Sequence, residues 1–313
     1  MIDRAAIATA RRHTAHPSGF LRTTPLLRLP GSALGVDCGE VWLKLEHLQV
    51  GGSFKARGML YRLLAHPLPE SGVTIASGGN AGIAVAAAAQ ALGVRCEVFV
   101  PEISPEAKRA RLRALGAEVV VTGSAYSEAL EACLARQQVT GALLAHAYDQ
   151  PEVVAGAGTL ALEIEEQAGR LPDSVLVSVG GGGLIGGVAA WVESRAHVVA
   201  LEPELAPTLH AARAAGQPVD VTVGGVAADA LGARRIGALC WEIGQRHVHG
   251  SLLLPDAAIR AAQQWLWREL KLAVEPAAAL GVAALQTGAY RPQPRETVAL
   301  ILCGANFDPA HLA

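Results

Sequence analysis

Apolar positions along the chain recur in two periods, and the way the periods alternate predicts the architecture. Ile2 to His16 carries apolar residues at helical spacing and predicts an amphipathic helix that ends before Pro17. Thr23-Thr24-Pro25-Leu26 predicts an extended lead-in, because the residue before a proline avoids the helical region. Val41 to Glu46 alternates and predicts a strand. A helix opens at Lys55, with Met59, Leu60, Leu63 and Leu64 on one face. From Val73 the pattern becomes strand, loop, helix, several times over. Strands are predicted at Val73–Ala76, Cys96–Val100, Glu118–Thr122 and Leu143–Ala145, and helices at Ala81–Leu92, after Ser104-Pro105, and at Ser124–Gln137. Ser104 reads as an N-cap with Pro105 in the first helical position. The second half repeats the theme. A long helix follows Pro151, strands are predicted at Ser174–Val179, His197–Leu201 and Thr297–Leu302, and helices at 184–193, Thr208–Ala215, Ala238–Gln245, Asp256–Leu270 and Ala277–Gly288.

Strands alternating with helices predict an α/β chain with mainly parallel sheets covered on both faces. No internal repeat or low-complexity linker divides it. Composition narrows the function. The 26 Lys+Arg against 28 Asp+Glu give a net charge of −2, which argues against a nucleic-acid or anionic-membrane surface. No apolar run is long enough to span a bilayer. Arg4, Arg11, Arg12 and Arg22 come early but without the apolar core of a secretory signal. The cysteines, at positions 38, 96, 133, 240 and 303, are odd in number and form no C-x-x-C pair, as expected of reduced thiols in a cytoplasmic protein. Lys108, Arg109, Arg111 and Arg113 read as a solvated helix face.

Two stretches carry candidate chemistry. Lys55 follows a Gly-Gly-Ser turn and opens an amphipathic helix. An exposed Lys would satisfy that pattern. So would a buried one, whose lowered pKa frees the amine to attack a carbonyl. Gly180-Gly181-Gly182-Gly183 lies between a predicted strand and a helix, where backbone amides and the helix dipole cradle a phosphate. No Lys follows, so it is not a Walker loop. Gly181, Gly183 and Gly186 with Glu202 formally allow a dinucleotide fingerprint. Four consecutive glycines suit a single phosphate monoester better.

Gly52-Ser53-Phe54-Lys55-Ala56-Arg57-Gly58 resembles the lysine motif of the fold-type II pyridoxal-phosphate enzymes, the tryptophan synthase β-like family, in the form seen in serine and threonine dehydratases. Ser77-Gly78-Gly79-Asn80-Ala81-Gly82, Gly180 to Leu184, and Leu302-Cys303-Gly304 resemble three further family motifs in the same order, and the resemblance runs from about Thr24 to Phe307. It implies two open parallel or mixed α/β sheet domains with the cofactor in the cleft between them: a small domain over residues 49–150, and a large cofactor-binding domain from residues 1–48 and 151–313.

The implied roles are specific. Lys55 holds pyridoxal 5'-phosphate covalently and takes the substrate's α-proton. Phe54, Asn80, Gly180 to Gly183, Leu184 and Cys303 bind the cofactor, with Asn80 on its phenolic oxygen and Cys303 opposite its pyridine nitrogen. A neutral thiol there weakens the electron sink and favours prompt β-elimination. Ser77, Gly78, Gly79 and Asn80 hold the substrate carboxylate. Ser53 lies within reach of the phosphate or leaving group. Glu202 and the Ala206 carbonyl match part of a divalent-metal site, but Thr208 stands where an acid is expected, leaving a divalent cation, a monovalent cation or none. Asp229 and Glu275 resemble positions near the cofactor and read equally as capping or surface carboxylates.

The implied activity is an L-threonine/L-serine dehydratase. A dehydratase of 3-hydroxyaspartate or phenylserine, or a racemase, is the alternative. Gly78 disfavours the racemase, which has Ser there, and Ala56 disfavours the synthases, which have Asp. A non-catalytic binding protein on the same fold would not need the lysine, asparagine and glycine positions intact. The resemblance also implies a small-molecule amino-acid substrate and a homodimer.

Overall fold

The computed structural model describes residues 2–15 and 19–312. The first helix, α1, runs Arg4–Thr14; its predicted end at His16 and Pro17 lies outside the described residues. Two sheets follow. The larger contains β1 (Leu26–Pro30), β2 (Glu40–Lys44), β7 (Ser174–Ser178), β8 (His197–Pro203), β9 (Gly250–Leu254) and β10 (Thr297–Ile301), in the order β1-β2-β10-β7-β8-β9. Only the edge strand β1 is antiparallel to its neighbour. The smaller sheet is parallel throughout, in the order β5-β4-β3-β6, from β3 (Val73–Ala76), β4 (Cys96–Val100), β5 (Glu118–Val121) and β6 (Leu143–Leu144).

The helices between the strands are α2 (Lys55–Leu64), α3 (Asn80–Leu92), α4 (Glu106–Ala114), α5 (Tyr126–Thr140), α6 (Pro151–Ala168), α7 (Gly183–Val192), α8 (Thr208–Ala215), α9 (Ala228–Leu231), α10 (Ala238–His247), α11 (Asp256–Leu270) and α12 (Leu280–Gln286). Several predictions shift locally. The strand expected over Val41–Glu46 ends at Lys44, and Glu46 begins a single 3-10 turn. Pro105, not Ser104, flanks α4, and no side chain caps it. The helix expected from Ala277 starts as a 3-10 turn at Pro276–Ala279.

Sheet order positions the site. β2, β10 and β7 are parallel neighbours, with Val298 opposite Val41 on one side and Ser174 on the other. Their carboxyl ends therefore deliver the Lys55 loop, Cys303 and the glycine run to one edge, where open α/β sheets place ligands.

Helix α6 is buried continuously from Val153 to Ile164. Small residues allow it to touch α2 closely: a Cβ on Gly58 would lie 2.6 Å from the Val153 carbonyl, and one on Gly156 2.7 Å from the Arg57 carbonyl. Beneath that crossing lies a buried ion cluster. Arg57 donates Nε and Nη2 to the two oxygens of Glu46, each at 2.8 Å, and Nη1 to Glu163 at 3.0 Å. Lys44 Nζ donates to Glu163 at 2.6 Å. Two positive and two negative side chains, none more than 1% exposed, thus tie β2, α2 and α6 together two residues past Lys55. Burial disfavours the Arg57 charge, but Glu46 and Glu163 outweigh it and raise the pKa.

Candidate active site

Phe54, Lys55, Asn80, Tyr148, Ser178, Gly180 to Gly183, Leu184, Ala230, Leu231, Glu275 and Cys303 line one cleft. Lys55 is the first residue of α2, and its Nζ donates to the Ala147 carbonyl at 2.6 Å. The residue's surface is partly accessible, but the amine itself is walled in. Desolvation lowers its pKa from 10.5 to about 8, against the opposing pull of Cys303 and Glu275. The exposed-lysine reading is thereby set aside: this amine loses its proton far more easily than a solvated one.

Cys303 follows β10 and is buried. Burial, then the neighbouring Glu275, raises its pKa well above 9.0, so the group stays a neutral thiol. Its carbonyl accepts from the Phe54 amide at 3.0 Å. Ser53 and Gly304 form an isolated antiparallel bridge. The turn after β10 thus fixes the lysine loop through its backbone.

The glycine run enters α7 without a side-chain cap, and Gly182 adopts a left-handed φ of 94°. The first amides of a helix have no intrahelical acceptor, so they are free for an anion. A Cβ on Gly181 would strike the Tyr148 ring, and one on Gly182 would strike Cys240 Sγ. These positions tolerate nothing larger than glycine. At the cleft floor Glu275 is 3% exposed and accepts from Asn80 Nδ2 at 2.9 and 3.1 Å. Desolvation raises its pKa from 4.5 to about 7, partly offset by Asn80.

Not every expected residue reaches the cleft wall. Ser53 is fully buried against Gly304, and its hydroxyl has no partner among the described residues. It is not among the residues that line the cleft. Ser77, Gly78 and Gly79 sit at the end of β3 beside the cleft, but only Asn80 of that loop forms its wall; Gly78 faces Ser104 and Val100.

Glu202 and Ala206 lie beside the start of α8. Glu202 accepts from the Leu209 and His210 amides at 2.7 and 2.8 Å, from Ser251 Oγ at 2.8 Å and from Thr208 Oγ1 at 3.2 Å. The carbonyl of Ala206 accepts from the Thr208 amide. Three donors occupy the Glu202 carboxylate, which serves the start of α8; the Thr208 hydroxyl gives its one hydrogen chiefly to the Gly180 carbonyl at 2.6 Å. No group of three or more His, Cys, Asp or Glu among the described residues is placed to hold a metal ion.

Asp229 lies at the cleft mouth and pairs with Lys108, so that lysine is not simply solvated. Sequence reasoning missed Tyr148, Ser178, Ala230 and Leu231, and left Glu275 undecided. Only Ser178, at the end of an apolar strand just before the glycine run, carried a local signal.

These residues fit pyridoxal phosphate: an easily deprotonated lysine, an anion cradle that a Cβ would fill, an amide donor and a neutral thiol converge on one cleft. Residues 18–304 match the pyridoxal-phosphate dependent enzyme family. The L-threonine ammonia-lyase of Thermotoga maritima is 36% identical over 281 residues, 87% of this chain and 69% of that protein. The phenylserine dehydratase of Ralstonia pickettii is 35% identical over 322 residues, 99% of this chain and 95% of that protein. Among solved structures, the T.th. threonine deaminase superposes with a TM-score of 0.89 at 36% identity, covering 98% of this chain and 99% of that one. Maize serine racemase gives 0.91 at 27%, covering 99% and 95%. With its lysine, glycine run and thiol gathered at one sheet edge, the chain belongs to the fold-type II pyridoxal-phosphate dependent enzymes.

Proposed function

We propose that this enzyme is an L-threonine/L-serine dehydratase. Water leaves the β-carbon, and hydrolysis of the released enamine returns it, so the net products are a 2-oxo acid and ammonia. The carrying observation is the desolvated Lys55 amine set beside a thiol that burial keeps neutral. When bound, the cofactor supplies an electron sink for charge developing at the substrate α-carbon. The chain's own residues do the rest. Gly180 to Gly183 and the start of α7 would hold the phosphate, and Leu184 and Phe54 would complete the cofactor's pocket. The Lys55 amine, largely neutral once the medium is above about pH 8, takes the α-proton. Asn80 would donate to the cofactor's phenolic oxygen, and the Ser77–Gly79 backbone would receive the substrate carboxylate. Cys303, a neutral thiol, would present no charge to the pyridine nitrogen.

A second substrate reading, phenylserine, is favoured by the Ralstonia relative, which matches this chain over nearly its full length. In both readings the strands of the four-stranded sheet belong to a small domain at 49–150 and the remaining strands to the large one, a division that strand membership supports. The enzyme is further read as a cytoplasmic homodimer. All five thiols are free, as a reducing compartment requires. Among the described residues no helix is long and apolar enough to cross a membrane.

The test is 2-oxo acid formation across L- and D-threonine, serine, 3-hydroxyaspartate and phenylserine. Turnover of L-threonine or L-serine above the others supports the proposal. A preference for phenylserine selects the second reading, and no 2-oxo acid from any of them refutes both.

A further inference from the structure

The chain contains two asparagines, Asn80 and Asn306, 226 residues apart in sequence. They bond to each other at the cleft: Asn306 Nδ2 donates to Asn80 Oδ1 at 2.6 Å. The same Nδ2 donates to the Gly51 carbonyl at 2.7 Å, four residues before Lys55. The Asn306 backbone amide donates to Glu275 Oε2 at 3.2 Å. Asn80 Nδ2 in turn donates to both Glu275 oxygens. Asn306 therefore touches the lysine loop, the Asn80 amide and the Glu275 carboxylate at once.

Directionality matters here. A side-chain amide can turn over, exchanging its donor end for its acceptor end. The Gly51 carbonyl can only accept, so the Asn306 end facing it must be the NH2. That NH2 also faces Asn80, so the near end of Asn80 must be its oxygen. The other end of Asn80, its NH2, then faces the Glu275 carboxyl, which lines the same cleft. The Gly51 carbonyl alone sets this orientation, and Glu275 accepts in the same sense once it is ionised.

We propose that Asn306 is a positioning residue: it fixes the Asn80 amide with its donor end on the Glu275 side of the cleft, where it would meet the cofactor's phenolic oxygen, and anchors the Lys55 loop in the same register. Asn306 itself does not line the cleft and acts through Asn80. The inference rests on the reading of Asn80 as a cofactor ligand. Its test begins in the cofactor-free protein, where that reading plays no part.

Selective 15N-asparagine labelling gives two side-chain NH2 groups, one from each asparagine. In Asn306→Asp one pair disappears. The remaining Asn80 pair must move away from its wild-type position, because a carboxylate now faces it and its orienting donor is gone. An Asn80 pair unmoved in Asn306→Asp overturns the proposal. Thermal melting of each variant checks folding, and Asn306→Ser, which removes the amide without adding charge, serves if Asn306→Asp does not fold.

The second arm is a double-mutant cycle read as pyridoxal-phosphate affinity by tryptophan fluorescence. Asn306→Asp weakens binding about tenfold in wild type and less than about twofold in the Asn80→Ala background. An equal loss in both backgrounds shows that Asn306 acts on the loop alone and contradicts the proposal. A moved Asn80 pair without any loss of cofactor affinity contradicts the link to the cofactor but leaves the dehydratase reading standing.

Discussion

Replacing Glu275 by Gln separates its charge from its shape. The carboxyl is buried and faces Asn80, the Asn306 amide, Lys55, Cys303 and Asp229. Burial raises its pKa from 4.5 to about 7. At about 1.4 kcal/mol for each tenfold change in proton affinity, this corresponds to about 3 kcal/mol. Between these values the folded protein keeps a proton that the unfolded chain has released. The stability from this group is therefore fully present below about pH 4.5 and is lost as pH rises through about 7. Gln cannot ionise and removes the dependence. The assay is urea unfolding of cofactor-free wild type and Glu275→Gln at about pH 5 and about pH 8. Groups that do not interact with Glu275 cancel in the difference. Wild type should lose about 2–3 kcal/mol more than the variant between these two pH values. A difference that does not change with pH, or one in which the variant is the more pH-sensitive, would refute the reasoning.

Other perturbations follow from the same geometry. Arg57→Met should destabilise the protein by about 3–5 kcal/mol, because Glu46 and Glu163 are left charged in a dry site; Arg11→Ala, which breaks a surface pair with Glu166, should cost under about 1 kcal/mol in the same urea assay. Gly182→Ala combines a left-handed φ with a collision at Cys240 Sγ. It should cost about 1–3 kcal/mol and weaken pyridoxal-phosphate binding, measured by dialysis against the free cofactor.

The sequence displayed the site's chemistry better than its edges. Lys55 and the glycine run announce themselves because a turn, a helix start and missing Cβ atoms are local properties. β1 was hidden: Leu26–Pro30 is a short antiparallel edge strand that follows one proline and ends on another, and its pairing with β2 is a tertiary fact. β9 was overlooked because Gly250–Leu254 is an edge strand without apolar-polar alternation. Glu46 looked like a strand residue because alternation does not reveal that Arg57 draws it into a turn. Ser53 stands two residues before Lys55 in sequence, but its burial and its bridge to Gly304 are tertiary facts. Tyr148 and Asn306 carry no local signature; their importance comes from the residues the fold brings to them.

The central claim is that Lys55 is the residue that carries the cofactor. The chain has four lysines: Lys44 locked in the ion cluster, Lys108 paired with Asp229, Lys271 on the surface, and Lys55 in the cleft. Borohydride reduction in the presence of pyridoxal phosphate, followed by peptide mass spectrometry, should place one pyridoxyl group on Lys55 and none on the other three. A label on another lysine, or none on Lys55, would contradict the account.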